Sequence, residues 1–535
     1  MCKLNIRQFP AVLVRTSRAK VKHTPSASAH RNYFQRGTSV TMGLSSWMTA
    51  VLVMVTMATV DLVHGAPNII ILMGDDVGFA DYEINDPAMR TPANTALAQK
   101  GLTLNQSYTL QTCTPTRTAL LTGRYSYKLG MQLGKIKGTY LRYVPVEPKL
   151  LPASLKDLNY TTHAVGKWHL GFCDWKLTPR YRGFDTFYGF FSGAQGYFNH
   201  SGTGTPSFDF RDNGRVAWEN KGLYSTELHT TRVQEIIRGR KREPFFIYMA
   251  YQNAHSPWEA KQSYIDDYCS HVQGEKRRIH CAMVAAMDES IKNITDTLDE
   301  EGIADDTILL VLSDNGGPLG YGSYNWPLRG GKSSFWEGGL RSHTVFVHPK
   351  WVVNPGTTWD SLIHVTDWYP TLYKAAGGNP SDLQEMDGID QYWKLIKGKQ
   401  GTRDRVVLNI DDKRGRSAVR IGDMKLLTGK PCHNSLTSGA PAPPDMEAAG
   451  TANSFVVRIQ DVPEKQLFNV RQDPRERNNL IDDPQYAEIL RELEDFRDYE
   501  IENNLVPFPA NIPKAKEGKP EFYSGAWSPG WCCAG

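Results

Sequence analysis

From residue 68 onward the chain alternates short apolar runs with amphipathic stretches. The runs NIIILM (68–73), THAVG (162–166), FFIYMA (245–250), TILLVL (307–312) and TVFV (344–347) have strand length and no polar alternation. Continuous apolarity of this kind predicts strands buried on both faces, as in a mostly parallel sheet flanked by helices. Between them, Met283, Met287, Ile291, Ile294 and Leu298 recur at spacings of three and four, which lays one apolar stripe along a helix over 281–299. Further helices are predicted over 151–159 and 361–376, and the Gly- and Ser-rich stretch 192–207 predicts a long surface loop. Past residue 400 the texture changes. RVVLNID, GRSAVRI and MKLLTG read as short strands between turns, and a helical pattern covers 484–500. The expectation is an α/β domain over 66–400, then a smaller α+β domain with an antiparallel sheet over 401–535. Its Pro/Gly-rich tail, 505–535, is expected to wrap over the surface.

Composition changes this picture in two places. With 40% hydrophobic and 22% charged residues, the 535-residue chain is neither disordered nor a small disulfide scaffold. The net charge of +4 belongs to the leader, because residues 1–41 carry eight basic residues and no acidic one. The remainder holds 53 Lys and Arg against 57 Asp and Glu, a net of −4, which argues against nucleic acid as a partner.

The leader also carries the longest apolar run, WMTAVLVMVTMATV over 47–60. Fourteen residues are short for about 30 Å of hydrocarbon, so with basic residues before it and small ones after it the run reads as a signal segment, with Met42 as a candidate working start. An uncleaved anchor through 47–63 is the second reading. Both lead into the secretory pathway, and four N-x-S/T sequons, at Asn105, Asn159, Asn199 and Asn293, agree with that. Of the eight cysteines, Cys269 and Cys281 bracket a short polar stretch and are the expected bridge.

Polar residues cluster where the apolar runs end. NIIILM leads into Gly74-Asp75-Asp76, THAVG into Lys167-Trp168-His169, FFIYMA into Asn253-Ala254-His255, and TILLVL into Asp314-Asn315-Gly316-Gly317. In a parallel sheet these points share the carboxyl edge, where open α/β folds place ligands. Asp75, Asp76, Asp314 and Asn315 offer only oxygen, which suits Ca²⁺, with Mg²⁺ as an alternative, better than zinc. Each pair alone reads as a turn; two pairs at two strand ends read as a cation site. The segment Cys113-Thr114-Pro115-Thr116-Arg117, closed by Leu121-Thr122-Gly123-Arg124, predicts a helix with Pro115 in its first turn and Gly123 at its end. Cys113 would then sit at an N-terminus that favours negative charge, unless it is half of a disulfide or a buried thiol.

C-[ST]-P-x-R-x-x-x-L-T-G-R resembles the signature of the type I sulfatases. GDDVGF, NYTTHAVGKWHLG, RGFDTFYGF, SDNGG and NWPLRGGKSSFWEGG are similar to that family too, so the resemblance runs over about residues 67–535. It implies an alkaline-phosphatase-like α/β sandwich. It also implies that a formylglycine-generating enzyme converts Cys113 to formylglycine, whose hydrate attacks sulfur to give a covalent sulfoenzyme. Asp75, Asp76, Asp314, Asn315 and the modified Cys113 would hold one Ca²⁺. Arg117, Lys167, His169, His255 and Lys332 would be catalytic, with Lys167, His255 and Lys332 on the sulfate. The wording of NWPLRG…WEGG and MKLLTG is nearest the branch acting on N-acetylgalactosamine 4-sulfate in dermatan and chondroitin sulfate, which implies a lysosomal or secreted enzyme. VPVEP at 144–148 lacks cysteines that this branch carries, and 193–215 and 433–455 diverge, which bears on substrate and not on catalysis.

Two other readings stand beside this one: a phosphomonoester or phosphonate hydrolase of the same fold, and a non-catalytic glycan-binding protein. Oxygen ligands for a single cation disfavour a two-zinc phosphatase. Retention of every expected polar position disfavours a binder. Trp168 and Trp336 are expected in the core or a wall, Tyr251 and Trp258 near an entrance, and His163, His229 and His348 in structural roles.

Overall fold

The computed structural model describes residues 65–535 except 135, 203–205, 433–438, 456 and 535. The leader, with its signal or anchor run at 47–63, lies outside the described residues. Ten strands form one sheet: β1 (Asn68–Gly74), β2 (Leu102–Tyr108), β3 (Thr161–Lys167), β4 (Thr186–Phe190), β5 (Arg211–Asp212), β6 (Arg215–Val216), β7 (Phe245–Ala250), β8 (Thr307–Ser313), β9 (Thr344–Val347) and β10 (Thr357–His364). Their order is β10-β2-β9-β8-β1-β7-β3-β4-β5-β6. The centre, β8-β1-β7-β3-β4, is parallel throughout. The apolar run TVFV, β9, instead pairs antiparallel with both neighbours.

Both faces of β1 are buried, as its unbroken apolarity requires. Ile69, Ile71 and Met73 join one core cluster, in which α1 (Cys113–Thr122) packs through Ala119, Leu120 and Leu121. Ile70 and Leu72 join the other, filled by Met283, Met287, Ile291, Ile294 and Leu298 of α2 (Glu275–Glu300). The stripe read from the sequence is therefore the face that α2 buries. A second sheet, β11 (Arg405–Asp411), β12 (Arg416–Ile421), β13 (Met424–Thr428) and β14 (Lys465–Asn469), is antiparallel, and α3 (Ala487–Asn504) joins its core through Leu493. That core also takes in Phe335, Trp336 and Leu340, so the second sheet clamps the segment just past Lys332.

Two expectations change. The stretch 361–376 is not one helix: Trp359, Leu362 and Ile363 are buried in β10, paired with β2, and a 3-10 turn over Val365–Asp367 leads into the α-helix Trp368–Ala375. The Gly/Ser-rich stretch 192–207 is not simply a surface loop, since Gln195, Tyr197 and His200 are fully buried. Its Tyr197 hydroxyl donates to the carbonyls of Gln252 and His255 at 2.9 and 3.0 Å, which makes the segment a wall against the loop after β7. Disulfides join Cys269 to Cys281, as expected, and Cys173 to Cys532 in the tail. No helix among the described residues is long and apolar enough to cross a membrane.

His163, His229 and His348 sit away from the strand-end cluster. His229 is buried, stacked on Phe210 at 5.4 Å, and its Nε2 has no hydrogen-bond partner among the described residues. Burial, with His200 and Arg232 adding, pushes its pKa down from 6.5 to about 3. As pH falls, the unfolded chain takes up this proton first, so the neutral ring's contribution is complete above pH 6.5 and is lost between there and about 3. His229→Phe is expected to flatten the fall in stability between pH 6.5 and 4.5, measured by urea unfolding; an unchanged slope would exclude this ring as a source.

Candidate active site

Gly74 and Ser313 are register partners on adjacent parallel strands, so Asp75-Asp76 and Asp314-Asn315 emerge side by side at the carboxyl edge. All four are buried. Asp76 turns through a left-handed backbone (φ 67°), and its N–H donates to Asp314 Oδ1 at 3.2 Å. Asn315 Nδ2 donates to Asp76 Oδ1 at 2.7 Å. The loop after β7 is fastened to the same point: Asp75 N–H donates to the Asn253 carbonyl at 2.7 Å and Ala254 N–H to the Asp75 carbonyl at 2.6 Å.

Helix α1 starts at Cys113 behind Thr112 and ends at Gly123, whose φ of 66° only glycine adopts without strain. Cys113 is buried, with Sγ 3.4 Å from Asp75 Oδ1 and 3.7 Å from Lys332 Nζ. Arg117, one turn on and fully buried, donates through Nε and an NH₂ group to Asp314 Oδ2 at 3.0 and 2.8 Å, and through its other NH₂ group to the Tyr248 hydroxyl at 3.3 Å. Lys167, ending β3, donates to Asp75 Oδ2 at 2.6 Å, and Lys332 Nζ lies 2.6 Å from Asp76 Oδ1. His255 Nε2 stands 3.7 Å from Asp76, with its Nδ1 on the Ser256 carbonyl at 2.7 Å. His169 puts Nε2 on the Ile136 carbonyl at 3.2 Å, while its buried Nδ1 has no hydrogen-bond partner among the described residues. The strand-end and helix-start residues thus meet in one place, together with Lys332 from the segment clamped by the second sheet.

Charge is concentrated here. Burial alone would raise Asp76, yet Lys332 and His255 hold its carboxyl well below the usual range. Burial raises Asp314, and Asp75 adds to it despite Arg117. Burial and the Asp314 and Asp75 carboxylates push the Cys113 thiol up. Burial lowers His255 to about 3, with Lys332 adding against Asp76, and lowers His169 well below its ordinary value, with Lys167 and Arg117 adding.

Ligating atoms of Asp75, Asp76, Cys113 and His255 all lie within 4.8 Å of one another. Asn315 Oδ1 is buried without a hydrogen-bond partner, an orphan acceptor aimed at no protein donor among the described residues. Carboxylate and amide oxygens dominate this set, so it fits one hard divalent cation. Asp314 divides its carboxylate: Oδ2 accepts from Arg117, and Oδ1 faces the Asp76 N–H.

A cavity of about 590 Å³ opens onto Cys113, His169, His255 and Lys332. Several of its walls went unnoticed in the sequence: Ile136, Lys137, Ser192 and Trp527. The Gly/Ser bias of 192–207 was the signal for Ser192; nothing local marks Trp527. Tyr251 is buried with its hydroxyl on Ser290, and Trp258 stacks on Tyr321, so neither lines this cavity. Trp168 and Trp336 are core residues. Among the sequons, Asn159 and Asn199 are exposed and Asn293 is half-buried, while the Asn105 amide donates to Asp360 at 2.5 Å.

A carboxylate cluster sized for one cation, ringed by cationic side chains on an α/β sheet, is the equipment of a hydrolase for anionic monoesters. Residues 67–378 match the Sulfatase family model, and the chain belongs to that family, as a sulfuric ester hydrolase of alkaline-phosphatase-like fold. Mouse arylsulfatase J is 35% identical over 493 residues, covering 86% of this chain and 80% of that protein. Mouse N-acetylgalactosamine-6-sulfatase is 28% identical over 445 residues, covering 77% and 81%. Among solved structures, Ps i-CgsB in complex with k-i-k-neocarrahexaose superposes with a TM-score of 0.71 at 27% identity, covering 85% of this chain and 96% of that one. The non-catalytic reading is thereby set aside.

Proposed function

We propose that this sulfatase removes sulfate from N-acetylgalactosamine 4-sulfate units of dermatan or chondroitin sulfate, with formylglycine made from Cys113 as its nucleophile. The observation that carries the reading is the Cys113 side chain at a helix N-terminus, 3.4 Å from Asp75 and 3.7 Å from Lys332. The names of the relatives, an arylsulfatase and an N-acetylgalactosamine-6-sulfatase, support the sugar class; the 4-position rests on the sequence resemblance.

A sulfate monoester needs a nucleophile, neutralisation of the sulfuryl oxygens and a proton for a poor leaving group. Asp75, Asp76, Asp314 and Asn315 would hold Ca²⁺, whose charge makes a neighbouring hydroxyl more acidic. Lys167, Lys332 and Arg117 balance charge on the sulfuryl oxygens. Lys332, or His255 once the sulfate's negative charge offsets the burial that keeps it neutral, gives the leaving oxygen its proton, and His169 takes one from the second hydroxyl of the hydrated aldehyde. That aldehyde hydrate carries the sulfoenzyme and collapses by carbon–oxygen cleavage to release sulfate. The cysteine is converted by a formylglycine-generating enzyme during passage through the secretory pathway, for which the sequons and disulfides are the support. Delivery is to the lysosome or the exterior.

Mass spectrometry of the peptide containing residue 113 tests the nucleophile: conversion replaces sulfur and two hydrogens by one oxygen. A secreted, active sample carrying only thiol would overturn it. Defined saccharides test the substrate, with fastest release expected from the 4-sulfate; faster release from a 6-sulfate or from glucosamine would redirect the assignment. Exhaustive chelation is expected to lower turnover at least about tenfold and to lower the melting temperature, with Ca²⁺ restoring both. Full activity after chelation would remove the cation from the reading.

A further inference from the structure

A second cavity, of about 500 Å³, adjoins the catalytic one and shares Lys137, Gly138 and Trp527 with it. It is built where the tail returns across the loop after Ile136. Leu141 N–H donates to the Pro513 carbonyl at 2.9 Å and Ala515 N–H to the Thr139 carbonyl at 3.0 Å, so Tyr140 and Lys514 bridge as antiparallel strands do. Trp527 N–H donates to the Phe208 carbonyl at 2.9 Å. Its ring lies against Gly138, where a Cβ would come within 2.6 Å of it, and so forms the partition between the cavities. The Cys173–Cys532 bridge fastens the tail beyond it.

Three lysines and one carboxylate, Glu521, line this second cavity. Lys137 has no ion-pair partner among the described residues. Lys514 lies over the Tyr140 ring at 5.1 Å, and Lys519 pairs with Glu521 at 3.3 Å, with both side chains more than half exposed. An exposed pair of that kind is weak and gives way to a better anion. Lysines on a convex surface are unremarkable. Here they rim a concave site beside a reaction centre, on a body whose net charge is negative outside the leader.

We propose that this cavity is a second anion subsite, which takes the negatively charged group of the sugar next to the one being desulfated. This rests on the glycan reading above and adds to it that chain length and a second charge govern affinity. Tyr140 and Trp527 supply flat faces for a sugar ring, and Lys137, Lys514 and Lys519 the charge.

The test uses the full secreted protein and its Lys514→Ala/Lys519→Ala variant, with turnover of a small aryl sulfate as the readout and a chondroitin 4-sulfate tetrasaccharide as competitor. The variant is expected to keep the wild-type melting temperature and its KM for the aryl sulfate within about twofold. Its inhibition constant for the tetrasaccharide should rise about tenfold or more, with a shallower salt dependence. An equal inhibition constant, or no inhibition of the wild type, would overturn the subsite, as would loss of aryl sulfate turnover in a folded variant. A competitor that binds but is never desulfated would sink the substrate assignment and leave the subsite standing. Reduction of the uronate carboxyls separates the two anions: a persisting difference assigns the lysines to sulfate, and a vanished one to carboxylate.

Discussion

Cys113→Ser is expected to yield a folded protein whose sulfatase turnover is down by at least about 10⁴-fold, the scale on which loss of a nucleophile registers. Folding should survive because Cys113 is in neither of the two disulfides described and is the first residue of α1, where serine is well tolerated. Among the described residues its sulfur makes two polar contacts, with Asp75 and Lys332, and a hydroxyl can make both. Chemistry should not survive. A serine alcohol can at most take the sulfuryl group once, because freeing it needs water to attack sulfur again. An aldehyde hydrate escapes that requirement, since its second hydroxyl drives collapse at carbon. Aryl sulfate turnover beside a thermal melt measures both halves, and appreciable turnover by the serine variant would contradict the covalent scheme.

Lys332→Ala should cost about 10²–10³-fold in kcat/KM with little change in melting temperature. The ammonium lies 3.7 Å from Cys113 Sγ and sits 2.6 Å from Asp76. Its backbone does not depend on it: Lys332 N–H donates to the Gly317 carbonyl, Ser333 N–H to that of Gln111 and Phe335 N–H to that of Pro431. Phe335 and Trp336 are buried in the second sheet's core. With the proposed Ca²⁺ bound, Asp76 keeps a counter-charge, and Asn315 Nδ2 still donates to it, so no carboxylate is stranded. A lowered melting temperature with normal kinetics would remove Lys332 from the reaction.

How much of this was legible depends on how local the cause is. Unbroken apolar runs announced β1, β7 and β8 because burial on both faces leaves no polar positions to mislead. The ends of those strands announced the site, since a parallel sheet brings its carboxyl termini to one edge whatever lies between. Residues 361–376 misled because the buried positions of β10 sit in the same apolar stretch as the helix after it, and pairing with β2 decided between them. The stretch 192–207 misled because glycine and serine signal turns but say nothing about what packs on them; Tyr197 and His200 are buried by contacts far away in sequence. Trp527 and the tail lysines were illegible for the same reason. Their place comes from bridges to Phe208 and Tyr140, which no neighbouring residue foretells.

The arrangement of the tail bears on biosynthesis. Cys113, once buried in the folded chain, is out of reach of any other enzyme's active centre, so a catalyst that rewrites it must meet an open polypeptide. The pieces that close the chamber, from the Lys332 segment to Trp527 and the Cys532 tether, emerge from the ribosome after it, the last of them more than four hundred residues later. If Cys113 is converted as proposed, order of synthesis holds the door open for that step and shuts it when translation is complete.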